Sequence, residues 1–265
     1  LSSERNDREH EVFDSTDARL RAIAPWVAHP QAIRAIFFDA GFTLLEPTPS
    51  VIEIVRLVCL EHGVSISAAD LATRMRFAEQ RFASGLHVYN STWSDNTAIE
   101  QAYRGFFGEL IAPFVHDERE RADCLTHILA EFDSHRAWTP YSDVRPTLDA
   151  LRGRYTLGII SDWSINLGVI LRGLNLIDDM HFLVVSATSR RAKPDPHLFE
   201  TALRRADALG DYTLYIGDTY VQDILGARAV GIHPILIDRE RRYDPALIDC
   251  PVIHRLDDLL ILLGL

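Results

Sequence analysis

No apolar run in the sequence approaches the roughly 20 residues that a membrane-spanning helix needs, and no segment is dominated by Lys and Arg. The first absence predicts a soluble chain. The second, together with a net charge of -11, excludes nucleic-acid backbones and anionic membranes as generic partners, because both attract a concentrated positive surface. Cysteine is scarce. Cys59, Cys124 and Cys250 are far apart and lack CxxC spacing, so they are expected as buried or free thiols of a reducing compartment. The His residues show no HExxH or related spacing, which argues against a zinc centre. The opening LSSERNDREHE is charged rather than apolar; no signal peptide is read there, and the expected location is cytoplasmic.

What is present is an ordinary globular composition, 47% hydrophobic and 25% charged over 265 residues, enough for one large domain or for a domain with a sizeable insertion. The organising stretch is Ile33 to Leu45, IRAIFFDAGFTLL. Within it, Ala35 to Phe38 is a short apolar run of strand formers that stops at Asp39. It reads as a buried central strand delivering one carboxylate to its C-terminal tip. In open α/β sheets ligands bind at such tips, where the loops diverge. An Asp in that place also serves as a turn former or a helix cap. What singles Asp39 out is the company of Gly158 to Ser161, of Ala192-Lys193-Pro194-Asp195-Pro196, and of Leu214 to Asp218 with Asp223 beyond.

Around this frame the periodicity changes twice. Leu20, Ile23, Ala24 and Val27 recur at helical spacing within an N-terminal extension, residues 1–31, with Ser15 or Thr16 as the cap. That face is expected to pack on its own domain, with self-association in a homodimer as the alternative. Pro47 and Pro49 then open a helical insertion over 48–138, with helices expected from Val51 to Gly63, Ser67 through Phe82, Thr97 to Ile111 and Asp117 to Phe132. From Pro140 a βα rhythm returns, with strands at Tyr155–Ser161, Phe182–Ser186, Leu214–Ile216 and Pro234–Ile237, a helix from Pro196 to Leu209 capped by Asp195, and a helix ending at Gly231 between the last two strands. The implied fold is α/β: a mostly parallel, Rossmann-like sheet covered on both faces, built from residues 32–47 and 139–265.

Taken as a set, the motifs resemble those of the haloacid dehalogenase superfamily of hydrolases, most of which are phosphatases. The resemblance rests on Asp39-Ala40-Gly41-Phe42-Thr43-Leu44, on Ser161, on Lys193 in KPDP, and on Gly217-Asp218 through Asp223, and covers about residues 32 to 263. It implies that the insertion is a helical cap over the strand tips and that the substrate is a small phosphorylated molecule. It also implies roles. Asp39 would be the nucleophile; Mg²⁺ would be held by Asp39, the backbone carbonyl of Gly41, Asp218 and Asp223; Ser161, Asp162 and Lys193 would bind the phosphate. A carboxylate reaches a phosphate dianion only when the charge between them is neutralised, which is the task of the metal and Lys193.

One position departs from the family pattern. Gly41 stands where the phosphatases carry a second Asp, which protonates the leaving oxygen and later deprotonates water, a contribution of roughly 10² to 10⁴ in rate. Asp162 and Tyr220 are the candidates to replace it. Haloacid dehalogenation needs no metal carboxylates, so Asp218 and Asp223 disfavour it. Phosphonate cleavage needs a cap lysine, and Thr48 to Trp138 contains none. A phospho-accepting receiver domain lacks both this length and the insertion. The alternative from another class is a protein that keeps the metal and phosphate pocket without turnover. His87, Tyr89, Trp93, Arg74, Arg76 and Arg104 are candidate cap contacts; no spacing singles one out, so the substrate itself is not read.

Overall fold

The computed structural model describes residues 18–85 and 95–265. Its strands are β1 (Ala35–Phe38), β2 (Leu45–Pro47), β3 (Trp138–Pro140), β4 (Thr156–Ser161), β5 (Phe182–Val185), β6 (Thr213–Gly217), β7 (His233–Ile237) and β8 (Val252–Ile253). Six of them form one sheet in the order β5-β4-β1-β6-β7-β8, and every pairing in it is parallel. All four β1 side chains are buried, as a strand flanked on both edges and covered on both faces requires. From β1 the chain builds first toward β4 and β5, then returns to add β6, β7 and β8 on the other edge. The switch point therefore lies between β1 and β6, and Phe38 pairs with Ile159 on one side and Ile216 on the other. That register brings Asp39, Ser161 and Gly217-Asp218 to the same end of adjacent strands.

The helices are α1 (Ala18–Ile23), α2 (Val51–Glu61), α3 (Ala68–Gly85), α4 (Asn96–Ile111), α5 (Glu118–Phe132), α6 (Val144–Leu151), α7 (Leu167–Gly173), α8 (Ser186–Ser189), α9 (Pro196–Ala206), α10 (Gly226–Ala229) and α11 (Asp258–Leu263). The insertion helices α2, α4 and α5 start where their caps demand: Ser50, Asp95 and Asp117 each accept from the backbone N–H three residues on. Ser67 does the same for Asp70 N ahead of α3. Their inward residues, among them Val55, Leu71, Leu110, Ile111 and Ile128, make a core separate from that of the sheet. At the two crossings into the insertion, β2 and β3 pair antiparallel as a ribbon. Strands of three residues carry no period that sequence alone reveals, and this ribbon was not anticipated.

Three other boundaries differ from expectation for local reasons. The N-terminal helix stops at Ile23 because Pro25 opens a 3-10 turn through Ala28. Its buried Leu20, Ala24 and Val27 join the sheet's own core, while the expected caps Ser15 and Thr16 lie outside the described residues. Helix α9 ends at Ala206, short of Leu209, where Asp207 takes a left-handed conformation with φ 48°. After β6 the chain forms a π-helix, Tyr220–Leu225, before α10. Among the described residues no helix is long and apolar enough to cross a membrane.

Candidate active site

Asp39 is held at the tip of β1 by its own N–H, which donates to Ile216 O at 2.8 Å. Its Oδ1 accepts from Ser161 Oγ at 3.0 Å and from Lys193 Nζ at 2.7 Å. The same ammonium lies 2.6 Å from Asp223 Oδ1 and 3.2 Å from the Tyr215 hydroxyl. Tyr215 OH in turn lies 2.9 Å from Asp223 Oδ1 and 3.0 Å from Ile160 O. Asp223 Oδ2 accepts from Thr219 N at 2.9 Å. A side chain at Gly217 would put its Cβ 2.3 Å from Asp223 Cγ, so only glycine lets this carboxylate turn back under the strand tip. Oxygens of Asp39, Asp218 and Asp223 all lie within 4.8 Å of one another. Asp218 also pairs with Arg242, 3.0 Å from its Oδ2.

Burial sets the charges of this cluster. Desolvation pushes the Asp39 carboxyl up to about 7; Lys193 opposes the shift, and Asp223 and Asp218 reinforce it. Asp218 is raised for the same first reason, then by Asp223, with Arg242 pulling the other way. For Lys193 burial works against the charge, yet Asp223 and Asp39 outweigh it and hold the ammonium protonated. Three carboxylates thus face one ammonium and one guanidinium, a net formal charge of minus one in a buried site. An additional hard cation fits such an oxygen donor set.

Asp162 is oriented differently. Its Oδ1 accepts from Lys193 N at 3.0 Å, fixing the loop that presents the lysine. Its Oδ2 is buried with no hydrogen-bond partner, and burial pushes the carboxyl up to about 7 despite Lys193. Tyr220, the other candidate acid, is not brought to the site: its hydroxyl donates to Asp249 Oδ1 at 2.6 Å, beside Arg228. Gly41 lies in the turn after Asp39, bridged to Leu45, and its φ is not positive; Phe42 takes the left-handed conformation, φ 56°. What crowds position 41 is Trp163, since a Cβ there would meet the indole Cζ3 at 3.1 Å.

The cap candidates fare unevenly. Arg74 donates to Glu109 O, and Arg104 pairs with Glu100 and Thr126, all within the insertion. Arg76 is exposed, and His87, Tyr89 and Trp93 lie outside the described residues. The insertion does reach the strand tips through α4: Asn96 Oδ1 accepts from Ile165 N at 3.1 Å, Ile99 packs on Ala192 beside Lys193, and the Tyr103 phenol is raised by burial, then by Asp162, Asp133 and Asp39. Tyr215, Thr219, Arg242 and Trp163 were missed by sequence reasoning. One compositional signal was available: Lys193 is the only lysine in a chain otherwise cationic through arginine. A compact ammonium fits between two carboxylates where a planar guanidinium fork does not.

Residues 33–231 match the family model of haloacid dehalogenase-like hydrolases. The chain belongs to this family. A relative from Danio rerio, haloacid dehalogenase-like hydrolase domain-containing protein 3, is 29% identical over 230 residues, covering 86% of this chain and 93% of its own. A glyceraldehyde 3-phosphate phosphatase from Methanopyrus kandleri is 32% identical over a shorter span of 120 residues, 44% of this chain and 52% of its own. Among solved structures, the HAD-hydrolase YfnB from Bacillus subtilis, bound to magnesium, superposes with a TM-score of 0.73 at 18% identity, covering 88% and 99% of the two chains. A 2-haloacid dehalogenase from Pseudomonas syringae superposes at 0.59 and 23% identity, covering 88% and 98%. At such identities these likenesses establish the fold, which phosphatases and dehalogenases of the HAD family share.

Proposed function

We propose that this HAD-family hydrolase is a Mg²⁺-dependent phosphatase acting on a small phosphate monoester through an aspartyl-phosphate on Asp39. The observation that carries the reading is the clustering of Asp39, Asp218 and Asp223 within 4.8 Å around a nucleophile already bonded to Ser161 and Lys193. Dehalogenation has no use for the two further carboxylates. Asp39, Asp218, Asp223 and the carbonyl of Gly41 would hold Mg²⁺, which when bound offsets the phosphate charge and favours in-line attack. Lys193 takes the charge of the equatorial oxygens, and Ser161 donates a hydrogen bond to the phosphoryl group. The Asp162 N–H follows in the same turn and is the remaining phosphate donor. The helical insertion serves as the cap, keeping water from the strand tips.

Gly41 favours a second reading, a phosphate-binding protein without turnover, because the usual acid is missing. A screen of phosphomonoesters with and without Mg²⁺, run beside Asp39→Asn, separates the two. Turnover that needs Mg²⁺ and is lost in Asp39→Asn supports the phosphatase. Phosphate binding with no turnover by either protein supports the second reading.

A further inference from the structure

We propose that Trp163 occupies the space of the missing acid and makes this site selective for aryl phosphates, whose leaving group departs without a proton and packs on the indole. The inference rests on the phosphatase reading and names its substrate class.

The geometry starts at position 41. A Cβ there would lie 3.1 Å from Trp163 Cζ3, with Cη2 and Cε3 close behind, so an Asp side chain fits only if the indole moves. The indole is not free to move. Its ring packs edge-on against Trp138 at 4.7 Å, and Trp138 is pinned by its own Nε1, which donates to Phe132 O at 2.9 Å. The backbone of Trp163 is fixed as well, because its N–H donates to Ser186 Oγ at 3.1 Å. Trp163 is only partly buried and follows Ser161 and Asp162, so an apolar ring adjoins the residues nearest the nucleophile. Next to Gly41 in the chain, Phe42 is 47% exposed. The polar acid of a general phosphatase is thus replaced by an aromatic wall.

The chemistry fits that wall. In the first step a bond forms between Asp39 and phosphorus, the ester P–O bond breaks, and its electron pair leaves on the ester oxygen. With no acid, that oxygen departs as an anion: an alkoxide, whose parent acid has a pKa near that of water at about 16, or a phenolate, whose parent is near about 10. In the second step water attacks phosphorus and the Asp39 carboxylate leaves, again without a proton; the phenolate then takes one of the protons water supplied, giving phenol and hydrogen phosphate. Bond breaking to the leaving group is far advanced in such transition states. The lost acid, worth roughly 10² to 10⁴, is therefore felt on alkyl esters and little on aryl ones. A flat ring also gains contact with the indole that an alkyl chain cannot match.

Two measurements test this. Wild type should show kcat/KM for phenyl phosphate about 10² or more above that for an alkyl phosphate of similar size, and Trp163→Ala should raise KM for the aryl ester more than for the alkyl one. Independently of turnover, phenylphosphonate should bind roughly three- to tenfold more tightly than methylphosphonate, a preference that Trp163→Ala abolishes while its circular dichroism is unchanged; Trp163→Phe, which keeps a ring, should retain part of it. Equal hydrolysis of aryl and alkyl esters overturns the proposal and points to Asp162 as an acid already in place. Equal phosphonate affinities, or a preference untouched by Trp163→Ala, overturn the aromatic wall. If no ester is hydrolysed at all, the phosphatase reading fails, and the phosphonate preference alone decides whether the wall exists.

Discussion

Lys193→Met is the sharpest test of the cluster. The ammonium is 4% exposed and lies 2.7 Å from Asp39, itself 9% exposed, and 2.6 Å from Asp223, 1% exposed. Methionine keeps most of the stem's volume, so the change removes charge rather than packing. Breaking a buried pair leaves an uncompensated buried charge, a loss of about 3 to 5 kcal/mol. For a chain of this size each kcal/mol moves the melting temperature by roughly 2 to 4 °C, so a fall of about 6 to 20 °C is expected in EDTA at pH 8. Millimolar Mg²⁺ should return part of it by supplying another cation. Adding Asp223→Asn should cost less than the sum of the two single changes, since the group it neutralises has already lost its partner; such coupling runs to about 0.5 to 3 kcal/mol. Urea denaturation of the wild type, both single variants and the double variant measures all of this. A Lys193→Met protein within about 1 kcal/mol of wild type in EDTA would show that the carboxylates do not carry the charge assigned to them.

The remaining tests use the same protein. Because Asp39 is raised from 3.8 to about 7, the folded state keeps a proton that the unfolded state has released; this contribution is fully present below pH 3.8 and lost as pH rises through 7. Wild type in EDTA should therefore lose up to about 4 kcal/mol relative to Asp39→Asn between pH 4 and 8, and a constant difference across that range contradicts the shift. Mg²⁺ at a hundred times its Kd should stabilise wild type by about 2.7 kcal/mol, seen as a thermal shift that Asp218→Asn removes; an unchanged melting curve argues against a metal site. Tyr215→Phe leaves Asp223 and Ile160 O short of a partner in a buried setting and should cost about 1 to 3 kcal/mol, which urea denaturation detects; a neutral result would mean that Lys193 and the Thr219 N–H suffice to hold Asp223.

What could be read in advance follows from how local each signal is. Asp39, Ser161 and Asp218 each end or follow an apolar strand, and strand-tip placement needs only the next few residues to be recognised. Lys193 lies before a proline-rich helix start, where Asp195 caps α9 through His197 N. Tyr215 carried no such mark. Within Leu214-Tyr215-Ile216 it reads as one more strand former, and its hydroxyl acquires meaning only when Lys193 and Asp223 arrive from later in the chain. Arg242 is similar, since it reaches Asp218 from the loop after β7, 24 residues on. Position 41 likewise takes its meaning from the fold. Phe42 took the left-handed turn, and the constraint on Gly41 came from Trp163, 122 residues away in sequence.

That last contact changes what Gly41 means. Taken alone, a glycine in place of an acid is a lesion that one substitution would repair. Trp163, however, is braced by Trp138, Trp138 by Phe132 at 6.2 Å, and Phe132 by Phe107, stacked at 5.3 Å inside the helical insertion. An aromatic chain therefore runs from the core of α4 and α5, through the β3 crossing, to the turn that follows Asp39. Restoring a carboxylate at position 41 means displacing the end of that chain, and well-packed side chains do not yield to an inserted group without a loss of about 1 to 3 kcal/mol. The missing acid and the packing of the insertion are thus one feature of this sequence. On this reasoning Gly41→Asp should destabilise when made alone and should be better tolerated alongside Trp163→Ala; equal stability losses in the two backgrounds would show that the indole does not hold position 41 at all.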